Sequence, residues 1–285
     1  MQPRFRLSIR PKFPPRHEMA GDWAGLRLGL GYEFWGLRKY VPGDSYAHID
    51  WKARARTGEL HVREYLRDSA FTLMLLVDGS PSMRFGGKYD LACAVAESLA
   101  HGAVAEGNPA GLVVFSDQVV THLPPSADPR QPFRIAHALD LAPPQALRPT
   151  DAEPALRLVT RRVPSCLGVL LSDFLFDLGS LSGIAEAAAR DRVPAHELVA
   201  LHVLEPVEQG EAELGGASLV LRDAETGELR PLYGLGGVPG LQAALAGRIE
   251  RLAALGVDSL ALSVGDAKTP ERINFFFARR PLARV

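Results

Sequence analysis

Seven residues without a charge, Phe71-Thr72-Leu73-Met74-Leu75-Leu76-Val77, run directly into Asp78-Gly79-Ser80-Pro81-Ser82. Alternate side chains of a strand point to opposite sides, so a strand that is apolar throughout needs cover on both faces. Sheets of that kind are mostly parallel and carry helices above and below, which commits the chain to the α/β class.

The downstream text alternates accordingly. Residues 88–105 place Leu91, Val95 and Leu99 at intervals of four, a single helical stripe. Residues 112–115 read as the next strand, with 119–123 as its hairpin partner. Residues 132–141 and 150–163 read as helices, 167–171 as a buried strand, 184–190 as an Ala-rich helix and 198–204 as another strand. Residues 218–222 and 228–233 flank Glu225-Thr226-Gly227 as a β-hairpin, an insertion near 215–235. A helix over 240–255 then leads into a last strand at 260–264.

The front of the chain reads differently. Pro3, Pro11, Pro14 and Pro15 come early, and a Gly-rich aromatic stretch follows from Gly21 to Tyr40, so long helices are not expected there. Residues 34–40 and 60–65 have strand composition, with Pro42-Gly43-Asp44 as a turn between them. The expected organisation is therefore a small β-rich module over 1–68 and an α/β domain over 69–285. Within the module, Asp44, Asp50, Trp51 and Arg56 read as a recognition surface or as an Arg-Asp-Trp fastening onto the larger domain, with the fastening preferred.

Charge and cysteine use narrow the function classes. Residues 1–68 carry 13 Lys+Arg against 8 Asp+Glu and the remainder 19 against 25, for a net charge of −1. The basic front has no helix-turn-helix, zinc or aromatic-basic motif beside it, so nucleic-acid binding is not expected. Cys93 and Cys166 sit in apolar stretches and form no C-x-x-C, as in reduced core positions of a cytoplasmic protein. No apolar run approaches the roughly 20 residues of a spanning helix, and no signal peptide is read at the amino terminus. The basic stretch from Arg4 to Arg16 leaves a peripheral membrane contact open.

Chemistry concentrates where the first strand ends. Asp78, Ser80 and Ser82 place a carboxylate and two hydroxyls at alternate positions of one tight loop, and ligands of open α/β sheets collect at the carboxyl ends of strands. Hard oxygen donors suit Mg²⁺, Ca²⁺ or Mn²⁺. Taken alone, the string reads first as an ordinary turn. Two further sites change the balance: Ser172-Asp173 ends the strand beginning at Leu167, and Thr150-Asp151 precedes a helix. Thr150 also stands three residues before Glu153, the spacing of a capping box, with Pro154 in the first turn.

Asp78, Ser80, Ser82, Thr150 and Asp173 together resemble the metal-ion-dependent adhesion site of von Willebrand factor A (vWA) domains. The stretch from Gly29 to Asp44, Ile49-Asp50-Trp51-Lys52, Leu171-Ser172-Asp173-Phe174 and His196-Glu197-Leu198-Val199 further resemble the domain of unknown function 58 family. The chain departs from that pattern at His48, at Leu147-Arg148-Pro149 and at Glu205-Pro206, where the family tends to Asp-Pro. The resemblance implies a vWA-like, Rossmann-like sheet with helices on both faces. It implies one divalent metal, Mg²⁺ foremost with Ca²⁺ or Mn²⁺ as alternatives, on those five residues. It also implies a non-enzymatic docking protein whose partner is a MoxR-type AAA+ ATPase supplying a carboxylate to the metal.

No G-x-x-x-x-G-K-[ST] string occurs, so ATP hydrolysis is expected from another chain. The alternative is a Mg²⁺-dependent phosphoryl-transfer enzyme with Asp78 as nucleophile. It is disfavoured because no second carboxylate follows two residues on and no Lys or general acid is evident near Asp78 in the sequence.

Overall fold

Asp50 and Gly58 set the limits of the first helix. The Asp50 carboxylate accepts hydrogen bonds from the backbone N–H groups of Lys52 and Ala53, and Gly58 closes the far end in a left-handed conformation at φ 78°. The computed structural model describes residues 5–12, 33–40, 49–66, 71–144, 150–182, 196–209, 219–222, 229–232 and 241–280. The chain divides into two compact units, His17–Ala70 and Met1–Arg16 together with Phe71–Val285.

The smaller unit contains β1 (Glu33–Lys39), α1 (Trp51–Thr57) and β2 (His61–Leu66). The two strands pair antiparallel, with a register irregularity between Phe34 and Gly36. The turn expected at Pro42-Gly43-Asp44 lies outside the described residues, and α1 intervenes between the strands. Asp50 caps α1, and the guanidinium over the exposed Trp51 ring, 5.6 Å from its centroid, belongs to Arg54 rather than Arg56.

In chain order the larger unit runs β3 (Leu73–Asp78), α2 (Lys88–Ala105), β4 (Ala110–Phe115), β5 (Val119–Ser126), α3 (Gln131–Asp140), α4 (Glu153–Arg162) and β6 (Cys166–Ser172). It continues with β7 (His196–Leu204), β8 (Leu219–Arg222), β9 (Leu229–Leu232), α5 (Leu241–Ala254), β10 (Asp258–Ser263) and α6 (Thr269–Arg279). Six strands form one sheet in the order β10-β7-β6-β3-β4-β5. Neighbours are parallel except β5, which runs antiparallel to β4 at the edge. β8 and β9 pair antiparallel at the expected hairpin, whose turn at Glu225-Thr226-Gly227 lies outside the described residues. The helix expected at 184–190 also lies outside them.

The alternation of β3 divides its residues between two cores. Leu73, Leu75 and Val77 pack with Val95 and Leu99 of α2, Ile135 of α3 and Ile273 and Phe277 of α6. Met74 and Leu76 pack with Leu156 and Val159 of α4 and Leu252 of α5. This is the α/β class with helices on both faces that the first apolar run required. Helix α6 was not expected from the sequence; its stripe is short, Ile273 and Phe277 at one i, i+4 step.

The expected front module of 1–68 is corrected at its start. Leu7 and Ile9 are buried in the larger unit, with the Phe5 N–H donating to Ser98 Oγ at 3.2 Å and the Ser8 N–H to Asn274 Oδ1 at 2.9 Å. Gly102 makes the approach feasible, since a Cβ there would stand 2.2 Å from the Leu7 carbonyl oxygen. Leu7 and Ile9 thereby join the core that β3 shares with α2 and α6.

Candidate functional site

The carboxyl ends of β3 and β6 lie side by side, with Val77 opposite Leu171 in a parallel ladder. From β3 the chain passes to β4 on one side, and from β6 it passes to β7 on the other. Such a point of divergence opens the crevice where ligands bind in open α/β sheets. Asp78 and Asp173 therefore emerge at the same edge of the sheet, and both are buried.

Asp78 Oδ1 accepts the Ser80 N–H at 2.8 Å and Oδ2 accepts the Ser172 hydroxyl at 2.5 Å. The Ser80 and Ser82 hydroxyls stand 3.0 Å apart, both buried. Ser80 occupies the cap position of the 3-10 turn Pro81–Arg84, where its carbonyl accepts the Met83 N–H at 3.1 Å but its hydroxyl makes no capping bond. The ordinary-turn reading expects serine hydroxyls to serve the backbone; here the two hydroxyls lie within hydrogen-bond distance of one another. Burial, and after it the neighbouring Asp173, push the Asp78 carboxyl up to about 7, against the hydrogen bonds from Ser172 and Ser80.

Asp173 is held from three directions. Its Oδ2 accepts from Lys88 Nζ at 2.7 Å, its Oδ1 from the Leu175 N–H at 3.2 Å, and its main-chain oxygen from Arg248 Nη1 at 3.1 Å. The next residue, Phe174, is the one described non-glycine residue with positive φ, at 53°. Backbone in that region is strained for a side chain of this size and persists only where surroundings impose it. Two partners impose it: the Phe174 N–H donates to Ser172 Oγ at 2.8 Å, and its ring stacks on His202 at 4.3 Å between centroids.

Thr150 is buried beside the carboxyl end of β4, where the Asp151 N–H donates to the Ser116 carbonyl at 2.9 Å. It is not the helix cap. Ala152 holds that position, and the Asp151 carboxylate accepts the Glu153 N–H at 2.9 Å, because an Asp two residues ahead closes an Asx turn more directly than a Thr three residues ahead. Pro154 falls in the first turn of α4 as expected.

Sequence reasoning missed several members of this end of the sheet. Lys88 has its side chain only 1% exposed and pairs with both Asp173 and Glu208, the second at 2.9 Å. Burial lowers its pKa, but Asp173 and Glu208 more than reverse this and raise it overall. The expectation that no Lys is placed here is thus corrected. One signal was available: Lys88 opens α2, where the helix dipole disfavours a positive charge, so a lysine there calls for carboxylate partners. Arg248, Glu205, Glu208 and the Ser116 hydroxyl carried no such signal.

Among the described residues no group of three His, Cys, Asp or Glu side chains is placed to hold a metal. A cation at this edge would depend on the hydroxyls of Ser80, Ser82 and Thr150 as well as on Asp78 and Asp173. Their hard-oxygen chemistry fits Mg²⁺, Ca²⁺ or Mn²⁺. The Ser116 hydroxyl, at the carboxyl end of β4, is a buried polar atom without a hydrogen-bond partner among the described residues, as expected where a ligand completes a site.

The family model described as protein of unknown function DUF58 matches residues 36–233. The chain belongs to the DUF58 family.

This DUF58 protein is 31% identical over 217 residues to the uncharacterized protein Rv1480 of Mycobacterium tuberculosis strain H37Rv, a match covering 74% of this chain and 66% of the relative. The chain therefore spans slightly less than two thirds of that relative's length. Among solved structures it is similar to the conserved hypothetical protein BatB from Bacteroides thetaiotaomicron, with TM-score 0.48, 16% identity and coverage of 75% of this chain and 100% of that one. It is also similar to the SpRpn10 VWA domain, with TM-score 0.41, 12% identity and coverage of 76% and 99%. The mostly parallel six-stranded sheet of this DUF58 protein, with helices on both faces, is of the α/β class that its first apolar strand required. No helix among the described residues is long and apolar enough to cross a membrane.

Proposed function

We propose that this DUF58 protein is a protein-interaction module that docks its partner through a divalent cation, Mg²⁺ foremost and Ca²⁺ or Mn²⁺ in its place. Asp78, Ser80, Ser82, Thr150 and Asp173 would hold it. The cation supplies positive charge between buried carboxylates and an attachment point for a carboxylate of the partner. What carries the reading is the Asp78 carboxylate, shut away from solvent, next to a second buried carboxylate and followed by two buried hydroxyls 3.0 Å apart. A buried carboxylate is costly unless a compensating charge accompanies it. Resemblance to DUF58 proteins makes a MoxR-type AAA+ ATPase the proposed partner, and the free thiols of Cys93 and Cys166 suit a cytoplasmic setting.

Titration calorimetry with Mg²⁺, Ca²⁺ and Mn²⁺ tests the site. Binding lost in Asp78→Ala, with the fold retained by circular dichroism, is the expected result. Equal affinity in the variant and the parent would remove the site. Co-purification with and without chelator tests the partner, which is expected to be lost on chelation.

One observation favours the second reading, a Mg²⁺-dependent phosphoryl transferase using Asp78: an ammonium, Lys88, lies close to the proposed site. Against it, position 80 is a serine where such an enzyme would want an acid. Metal-dependent hydrolysis of an aryl phosphate, abolished by Asp78→Ala, would favour this reading over docking.

A further inference from the structure

We infer that the Lys88 ammonium is a tethered counter-ion that competes with a divalent cation for Asp173 and keeps Glu208 as its second carboxylate when displaced. The inference rests on the proposed cation site and concerns this chain's own lysine.

Lys88 Nζ lies 2.7 Å from Asp173 Oδ2 and 2.9 Å from Glu208 Oε1. The Lys88 and Asp173 side chains are each 1% exposed, whereas Glu208 is 21% exposed. The ammonium thus stands between a closed carboxylate and a more open one. At 2.7 Å it engages an oxygen that a hard cation would need, and two positive charges at such separations repel strongly in a poorly hydrated interior. A lysine that lost its sole partner on cation binding would be left buried and unpaired. This one would not, because Glu208 still holds it.

Glu208 is itself fixed. Its Oε2 accepts the Glu205 N–H at 2.9 Å, while Glu205 Oε1 accepts the Gly87 N–H at 2.7 Å, one residue before Lys88. Lys88, Glu208, Glu205 and Gly87 therefore close a ring of bonds joining the start of α2 to the turn at Pro206–Gln209. Exchange at Asp173 leaves this ring as the remaining hold on the ammonium, so it couples cation occupancy to the 206–209 turn.

Calorimetry with MgCl₂ and MnCl₂ on the full chain, with thermal midpoints across metal concentration, compares the parent with Lys88→Met, Lys88→Arg, Glu208→Gln and Asp78→Ala. Lys88→Met should bind at least about tenfold more tightly than the parent, because a close competing charge is removed. Its midpoint should also climb further with metal. Lys88→Arg should show no gain, since it keeps the charge. Glu208→Gln should bind more weakly, because the ammonium then has Asp173 alone.

A lysine that merely braces the fold predicts weaker binding in Lys88→Met and no effect of charge retention in Lys88→Arg. Unchanged or weaker metal affinity in Lys88→Met, with binding still lost in Asp78→Ala, overturns the counter-ion role and leaves the cation site standing. Absence of binding in the parent and in every variant overturns both. Should Lys88→Met fail to fold, unchanged or tighter binding in Glu208→Gln overturns the counter-ion role.

Discussion

Lys88 Nζ and Asp173 Oδ2 are 2.7 Å apart at the start of α2 and the end of β6, and solvent reaches neither side chain. Removing one partner of a buried pair leaves the other charge uncompensated, which typically costs about 3–5 kcal/mol. Lys88→Ala is therefore expected to lower unfolding free energy by about that amount in urea titrations without added metal. Arg157→Ala, which breaks the exposed pair with Glu153, should leave the midpoint nearly unchanged. Similar effects for the two substitutions would contradict the burial argument.

Two groups at this edge make opposite contributions to the pH dependence of stability. Asp78 is raised from 3.8 to about 7, so between those values the folded state holds a proton that the unfolded state releases, and stability falls as pH rises. Burial foremost, and then Arg248, lower His202 from 6.5 to about 4, although Asp173 opposes them. Between pH 4 and 6.5 the unfolded state holds the extra proton, and stability rises with pH. The two therefore offset each other in that window. Asp78→Asn should make the metal-free protein gain stability more steeply from pH 4 to 6.5 than the parent does, and His202→Phe less steeply. Parallel pH profiles for parent and variants would rule this out.

Gly86 and Gly107 both have positive φ, 59° and 82°, but only at Gly86 would a Cβ strike a neighbour, 1.9 Å from Glu205 Oε1. Gly86→Ala is expected to cost roughly 1–3 kcal/mol, for the backbone strain and for the displaced Glu205 carboxylate. Gly107→Ala should cost only the backbone part. Denaturant midpoints of the two variants check this, and an equal loss would show that the Glu205 carboxylate moves aside freely.

Ile9 is buried in the same core as β3, although it lies outside the stretch that reads as an α/β domain. Ile9→Ala should destabilise the larger unit by about 2–5 kcal/mol, the usual range for a core truncation of this size. Hydrogen exchange of α2 amides provides the local readout, and protection unchanged in the variant would show that residues 5–12 contribute no hold on that helix.

Much of the candidate site was legible because the relevant signals are local. Asp78, Ser80 and Ser82 share one loop, and their place at the end of an apolar strand follows from the run that precedes them. Ser172 and Asp173 were legible in the same way from the strand that starts near Cys166. The spacing of Thr150 to Glu153 also suits a capping box alongside its place among the proposed ligands, but Asp151 closes that turn instead; competition between two adjacent side chains for one N–H is decided by local geometry, which spacing leaves open. Residues 5–12 escaped because Leu7 and Ile9 are too few to form a periodic pattern.

The sequence by itself determined the α/β class, the β3 strand and the oxygen-rich loop after it, since apolar periodicity and turn chemistry act within a few residues. The tertiary structure alone decided that Lys88 meets Asp173, 85 residues away, and Glu208, 120 residues away. Those partners depend on β6 and β7 stacking beside β3 in that order, and a buried ion pair is an outcome of strand order rather than of any pattern along the chain.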